Sequence, residues 1–270
     1  MKSTGGRILL ASDVDGTLLP QGGGEIHPRV YEALSRFMGG GGLFTVATGR
    51  TRGAMERLRP LIPMNAPAIL ANGALVYDYS RNGALFSIFL DGEYMEVAGE
   101  AAARFPDVAV EVHSETSMWV LRPNRHTERH SEIVGVPSQP VDGLDVPPRP
   151  WLKAVFVAEP ESLARLRAFL EPVCRGRFSL VSTTRVFLEF QHADANKGEG
   201  AARLAAALGV APEDTYVIGD DQNDLPMITR FFGFAPQNAR DDVKRAARAV
   251  VGDAAGGAVA DAIDWLYKNR

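Results

Sequence analysis

At 270 residues the chain is long enough for two domains of ordinary size, and 46% hydrophobic with 23% charged residues is a globular composition that excludes a disordered or fibrous chain. A net charge of −4 lacks the basic excess that nucleic acid or an anionic membrane would favour, so neither is expected as a partner. Cys174 is the sole cysteine, which rules out a disulfide or a thiolate metal cluster within one chain and suits a reducing cytoplasm.

The apolar stretch from Ile8 to Ala11 ends at Ser12 and Asp13, too soon for a signal-peptide core, and no run approaches the ~20 apolar residues of a membrane span. A cytoplasmic location is therefore expected. Arg7 to Ser12 reads as a buried strand stopped by the turn residues Asp15 and Gly16. Pro28 suits a first helical turn, and Val30, Ala33, Leu34, Phe37 and Met38 then recur at helical spacing up to the glycines at 39–42. Leu43 to Ala47 predicts a second strand ending at Thr48-Gly49-Arg50, and Arg52 to Leu61 the next helix. A third strand, Ala68 to Ala71, meets Asn72-Gly73, a hairpin-like turn before Leu75 to Tyr77.

From about Ser80 the pattern changes. Strands are expected at Leu85 to Leu90, Val108 to Val112, Met118 to Leu121, Leu152 to Val157, Phe178 to Val181 and Val186 to Phe190, with helices near Glu93 to Phe105 and Glu161 to Leu170. The proline-rich stretch Val146 to Pro150 reads as a loop inside this module rather than a linker. After His192 the alternation returns: helix Lys197 to Leu208, strand Tyr216 to Ile218, an acidic loop, a helix from Leu225 and strand Phe231 to Ala235. Helix Asp241 to Ala247, strand Ala249 to Val251 and helix Gly257 to Tyr267 close the series. The expected class is α/β: a Rossmann-like parallel-sheet core, residues 1–80 and 192–270, interrupted by an inserted α+β domain, residues 81–191.

Four short motifs fall where expected strands end, the edge at which open α/β sheets place ligands. In Asp13-Val14-Asp15-Gly16-Thr17 two carboxylates flank one residue, so one is available as a nucleophile and the other as an acid/base, unless both merely solvate a turn. Thr48, followed by Gly49, stands where a hydroxyl and a backbone N–H would hold a phosphoryl oxygen, or where a threonine simply caps a helix. Lys197, in Asn196-Lys197-Gly198, offers a point charge at a helix start, although a lone lysine there is usually solvated. The loop Gly219-Asp220-Asp221-Gln222-Asn223-Asp224 supplies oxygen ligands for a hard cation, but also suits a polar turn that caps the next helix.

In this order ILLASDVDGTLL, FTVATGR, ILANGALVYD, ANKGEG and YVIGDDQNDLPMI closely resemble the haloacid dehalogenase-like phosphatases, in their Cof-like branch with a large α/β cap. The resemblance implies a cap inserted between the second and third motifs, near residues 81–191, Asp13 as nucleophile and Asp15 as acid/base. It further implies phosphate binding by Thr48, Gly49, Lys197 and Asn223, and a Mg²⁺ site drawing on Asp13, Asp15, Asp220 and Asp224. Phe234 to Ala239 departs from the family's usual segment at Pro236 and Gln237. Charge counting supports the cation, because those four aspartates against Lys197 would repel a phosphate dianion.

The expected activity is magnesium-dependent hydrolysis of small phosphorylated metabolites, sugar phosphates foremost. A phosphomutase or phosphotransferase and a non-catalytic phosphometabolite-binding protein are the alternatives. His113, Arg122, Arg185, Glu189 and His192 are the polar candidates in the inserted domain, and a hinge is expected near Ser80 and His192.

Overall fold

The computed structural model describes residues 7–90, 92–174 and 176–269. By their internal contacts these fall into two compact units: one runs to Gly49, takes in Leu61–Phe86 and resumes at Asn196, while the other comprises Arg50–Pro60 and Ser87–Ala195.

The first unit is built on a five-stranded parallel sheet in the order Ala249–Val251, Phe232–Pro236, Thr215–Ile218, Leu9–Ser12 and Leu43–Val46. Its three middle and edge strands nearest the amino terminus run in register, with Ser12 beside both Ile218 and Val46. The segments following those strands therefore emerge together. Leu9, Ala11, Val217 and Ala235 face helix Lys197–Leu208 through Ala201, Leu204 and Ala205, and helix Leu225–Arg230 through Met227 and Ile228. Across the sheet, Phe232 and Phe234 meet Trp265 of helix Ala258–Asn269. That helix is tied to helix Pro28–Gly39 by the Arg29–Asp261 and Arg36–Asp264 ion pairs. Each side chain enclosed as fully as Phe44 or Leu10 stabilises the fold by about 1.5–3 kcal/mol relative to exposure.

A smaller antiparallel sheet, Ala68–Leu70, Leu75–Asp78 and Gly83–Ser87, extends the first unit through a bridge from Ile69 to Ala47. Asn72-Gly73 does turn the first of these strands into the second, Leu70 pairing with Leu75. The turn is tight: Ala71, Asn72 and Gly73 all adopt positive φ. At Gly73 a Cβ would stand 2.3 Å from the Asn196 carbonyl oxygen, so only glycine lets the turn approach the start of helix Lys197–Leu208.

The second unit carries a six-stranded sheet in the order Phe178–Thr184, Phe187–His192, Lys153–Val157, Ala109–His113, Met118–Leu121 and Ser138–Val141. Every pair is antiparallel except the last. One face packs Val110, Val112, Ala154, Phe156, Leu188 and Phe190 against helices Gly92–Arg104 and Pro160–Cys174. The opposite face alternates with it along each strand and holds Glu111, Val155 and Glu189 in one cross-strand row, then His113, Lys153 and Gln191 in the next. The proline-rich stretch 146–150 lies within this unit.

Several expectations require correction. Arg52 to Leu61 is not one helix: a four-residue helix, Arg52–Met55, is followed by a 3-10 turn at Arg59–Leu61, because Pro60 cannot donate the helical hydrogen bond and restricts the residue before it. Segment 50–60 also belongs with the second unit, where Ala54 packs against Met118, Val120 and Val136 and the Gly53 N–H donates to the Glu115 carbonyl at 2.8 Å. The unit boundaries fall after Phe86 and Ala195, several residues beyond 80 and 191. The expected strand Leu85 to Leu90 is instead Gly83–Ser87, with Leu90 bridging Trp151. Helix Arg125–Val134 and edge strand Ser138–Val141 escaped the sequence reading. The helix carries only two apolar residues, Ile133 and Val134, both at its end, while Pro140 sits on an edge strand, where a missing N–H costs no ladder bond.

Candidate active site

Three adjacent parallel strands deliver the first-unit motifs to one place: Asp13 directly follows Ser12, Thr48 lies two residues beyond Val46, and Asp220 two beyond Ile218. Asn196 caps the helix that brings in the fourth motif, its side chain accepting from the Glu199 N–H at 2.9 Å. The Lys197 side chain is wholly buried, and its Nζ donates to Asp13 Oδ1 at 2.7 Å and to Asp224 Oδ1 at 2.6 Å. This is a structural ammonium held between two carboxylates, in contrast to the solvated lysine that such a position usually carries. Asp224 Oδ2 accepts the backbone N–H groups of Asp220 and Asp221 at 2.9 and 3.0 Å, so one carboxylate both anchors Lys197 and shapes the acidic loop.

Asp220 accepts from the Thr17 hydroxyl at 2.6 Å, a contact across 203 residues of sequence. Gly16, at φ +91°, makes this possible: a Cβ there would stand 2.4 Å from Asp220 Oδ2. Gly16→Ala is accordingly expected to cost about 2 kcal/mol of stability through backbone strain alone and to displace the Asp220 carboxylate. Urea unfolding and a Mg²⁺ activation curve check both effects, and unchanged midpoints in the two would refute the packing described here.

Asn223 Nδ2 donates to Asn72 Oδ1 at 3.1 Å, and Asn72 Oδ1 also lies 3.1 Å from where a Gly49 Cβ would stand. Thr48 is buried, its N–H donating to the Ile69 carbonyl and its own carbonyl accepting from Asn72 N–H. Asn72, Thr17 and Asn238 were not singled out in the sequence. Asn238 donates from Nδ2 to the Gly16 carbonyl at 2.7 Å and accepts from the Ala254 N–H at 2.9 Å, so the segment that departs from the family pattern still braces the loop after Asp13. The signal for Asn72 was its place in Asn-Gly, which equally describes an ordinary turn.

Carboxylate oxygens of Asp13, Asp220 and Asp224 lie within 4.8 Å of one another. Asp15 stands outside this trio, with an exposed side chain. Burial pushes the Asp13 carboxyl well above its ordinary range, Lys197 opposes the shift, and the neighbouring Asp224 and Asp220 add to it. Burial, then the charge of Asp224, raises Asp220 to about 7 against the pull of Thr17 and Lys197. Burial works against the Lys197 charge, but Asp13 and Asp224 more than offset it and hold the ammonium protonated. Three buried carboxylates against one ammonium leave negative charge uncompensated. An all-oxygen, anionic donor set of this kind fits a hard divalent cation such as Mg²⁺.

The polar candidates of the second unit separate. His113 and Glu189 are buried on the same sheet face, where Lys153 Nζ donates to Glu189 Oε2 at 3.0 Å. Arg122 donates to the Ala102 carbonyl at 2.8 Å, Arg185 is exposed at a strand turn, and His192 stacks on the Tyr94 ring. Glu111, His130 and Lys153, which share the His113 face, were not anticipated.

Comparison with known proteins gives the family and the fold. A sequence profile of the haloacid dehalogenase-like hydrolases matches residues 10–263. The putative phosphatase YxeH of Bacillus subtilis strain 168 is 29% identical over 249 residues, covering 88% of this chain and 90% of that one. The 5-amino-6-(5-phospho-D-ribitylamino)uracil phosphatase YwtE of the same organism is 26% identical over 292 residues, covering 97% and 98%. A haloacid dehalogenase-like hydrolase from Bacteroides thetaiotaomicron has the same fold, with a TM-score of 0.86 at 23% identity over 96% of this chain and 99% of that one. With a profile match over nearly its whole length, and as the Cof-like resemblance of its motifs anticipates, the chain belongs to the haloacid dehalogenase-like hydrolase family.

Proposed function

We propose that this protein is a magnesium-dependent phosphatase of small phosphate monoesters, sugar phosphates foremost, working through an aspartyl phosphate on Asp13. The single observation that carries the reading is the buried convergence of Asp13, Asp220 and Asp224 on Lys197 at the ends of adjacent parallel strands. The relatives named as phosphatases, one of them acting on a phosphorylated ribityl compound, support the substrate class.

Asp13 and Asp220 would hold the cation, with Asp224 fixing the loop between them. When bound, Mg²⁺ would supply positive charge that keeps these carboxylates ionised and offsets charge on the phosphoryl group. A carboxylate oxygen of Asp13 attacks phosphorus in line, and the bond from phosphorus to the substrate oxygen breaks. Asp15 delivers a proton to that departing oxygen, and its exposed side chain suits a group that exchanges protons with substrate and water. Water then attacks phosphorus of the aspartyl phosphate, Asp15 takes its proton, and phosphate leaves with Asp13 regenerated. Thr48, Gly49, Lys197 and Asn223 hold the phosphoryl oxygens, Lys197 contributing a charge that its two carboxylate partners keep in place.

The second unit, as the inserted cap, selects the organic group, and a small-molecule substrate in a reducing cytosol is the setting that one buried cysteine suits. The test is kcat/KM for wild type and Asp15→Asn on a panel of phosphate monoesters graded by leaving-group pKa. The variant is expected to lose about 10²–10⁴-fold on poor leaving groups and far less on good ones. A loss independent of leaving group would remove Asp15 from the acid role, and absence of phosphate release by the wild type across the panel would overturn the phosphatase reading itself.

A further inference from the structure

Outside the acidic site, the second unit gathers Glu111, His113 and His130 on the face of its sheet opposite helices Gly92–Arg104 and Pro160–Cys174. Glu111 and His113 come from strand Ala109–His113, two residues apart and hence on one face, and His130 reaches them from helix Arg125–Val134. Glu111 Oε2 stands 3.0 Å from His113 Nε2 and 2.7 Å from His130 Nδ1. One ligand atom from each residue lies within 4.8 Å of the others. We propose that these three residues form a second metal site, selective for a borderline transition-metal ion of the zinc class and separate from the acidic centre.

The donor set discriminates by its chemistry. Two imidazole nitrogens and one carboxylate oxygen are a familiar zinc complement that leaves a fourth position for water or a ligand, whereas Mg²⁺ prefers oxygen alone. Zinc bonds of about 2.0–2.1 Å in a near-tetrahedral arrangement set donors roughly 3.3 Å apart, so the Glu111 oxygen would draw back by about 0.3 Å from His113 and about 0.6 Å from His130. A second observation points the same way. Glu111 Oε1 is fully enclosed and has no hydrogen-bond partner among the described residues, although a buried carboxylate oxygen ordinarily has one. A cation held by both oxygens of the Glu111 carboxylate would satisfy it.

Both imidazoles direct a ring nitrogen at the same Glu111 oxygen, so the three donors already converge. The other charged groups on this face are Lys153 and Glu189, which pair with each other at 3.0 Å, and the Lys153 charge also bears on His113. Imidazoles coordinate as neutral ligands, here through the nitrogens that now face Glu111, with the remaining proton on the opposite ring nitrogen. His130 is the part-buried member, packed on the Phe187 ring, and gives the ion a route in.

The proposal is independent of the phosphatase reading, and its test does not measure turnover. Chelator-stripped full-length protein in excess Mg²⁺ is titrated with Co²⁺ and then Zn²⁺, following cobalt d–d absorption, and the zinc-loaded protein is measured by X-ray absorption. Expected are one Co²⁺ per chain with the intense bands of low-coordinate cobalt, displacement by Zn²⁺, and two imidazoles in the zinc shell. His130→Ala should weaken Zn²⁺ binding more than about 100-fold, and Asp220→Asn should leave it unchanged. Zinc that is lost in Asp220→Asn but retained in His130→Ala, or a shell without imidazole, or no binding at micromolar Zn²⁺, would overturn the assignment. Should His130→Ala fail to fold, the imidazole count in the wild-type protein decides alone.

Discussion

Asp13→Asn is expected to fold as the wild type does and to lose at least about 10⁴-fold in phosphate release. The amide keeps the size and one oxygen of the side chain but has no carboxylate to attack phosphorus. Folding should survive for an electrostatic reason. Asp13 is buried among Asp224, Asp220 and Asp15, which with burial drive its carboxyl well above the ordinary range. A neutral side chain relieves that crowding, and Lys197 retains Asp224 as a partner at 2.6 Å. Thermal unfolding of the metal-free variant should therefore be no lower than that of metal-free wild type, while turnover disappears. Wild-type turnover in a folded Asp13→Asn protein would remove Asp13 from the nucleophile role.

Chelation should have an equally large effect. EDTA is expected to abolish turnover and Mg²⁺ to restore it, because the uncompensated carboxylates otherwise repel a phosphate dianion and stay partly protonated. The same charges give a sign for pH. Asp220 sits at about 7 in the folded chain against an ordinary 3.8, so between these values the folded state keeps a proton that the unfolded chain has lost. Metal-free stability should consequently fall as pH rises through that window. Bound Mg²⁺ favours the ionised form, and at 100 times its dissociation constant would contribute about 2.7 kcal/mol. The Mg²⁺-induced rise in Tm should thus be small near about pH 5 and grow towards about pH 8. A rise that is constant or shrinks with pH would contradict the placement of the cation on these carboxylates, and full activity after exhaustive chelation would contradict its need.

Legibility in the sequence followed the range of the interactions. Helix Lys197–Leu208 and strand Ala249–Val251 were read to the residue, since cap, apolar spacing and glycine stop are all local. The acidic motifs were legible for the same reason: each is contiguous and follows a buried strand. What escaped depends on partners distant in sequence. Nothing near Lys197 tells that it will be wholly buried between Asp13, 184 residues away, and Asp224. Thr17 gains its role from Asp220 and Asn72 from Asn223, pairings that only the parallel sheet creates. In the second unit, Glu111 and His113 alternate with the apolar residues of their strand, but His130 stands on a helix whose only apolar residues are Ile133 and Val134, too few to mark it in the sequence. Segment 50–60 shows the limit of composition, because its attachment rests on contacts distant in sequence: Ala54 on Met118 and Val120, the Gly53 N–H on the Glu115 carbonyl, and Arg52 paired with Glu115 at 3.4 Å.

The central claim is covalent phosphorylation of Asp13, and rapid acid quench with phosphorus-radiolabelled substrate tests it most directly. During turnover in Mg²⁺ the wild type should accumulate an acid-stable, base-labile phosphoryl adduct that maps to the peptide containing Asp13, forms no slower than turnover, and is absent from Asp13→Asn. Label on any other residue, or turnover with inversion of configuration at a chiral phosphorus and no adduct at any quench time, would contradict the account, because a single inversion means that water attacks the substrate directly.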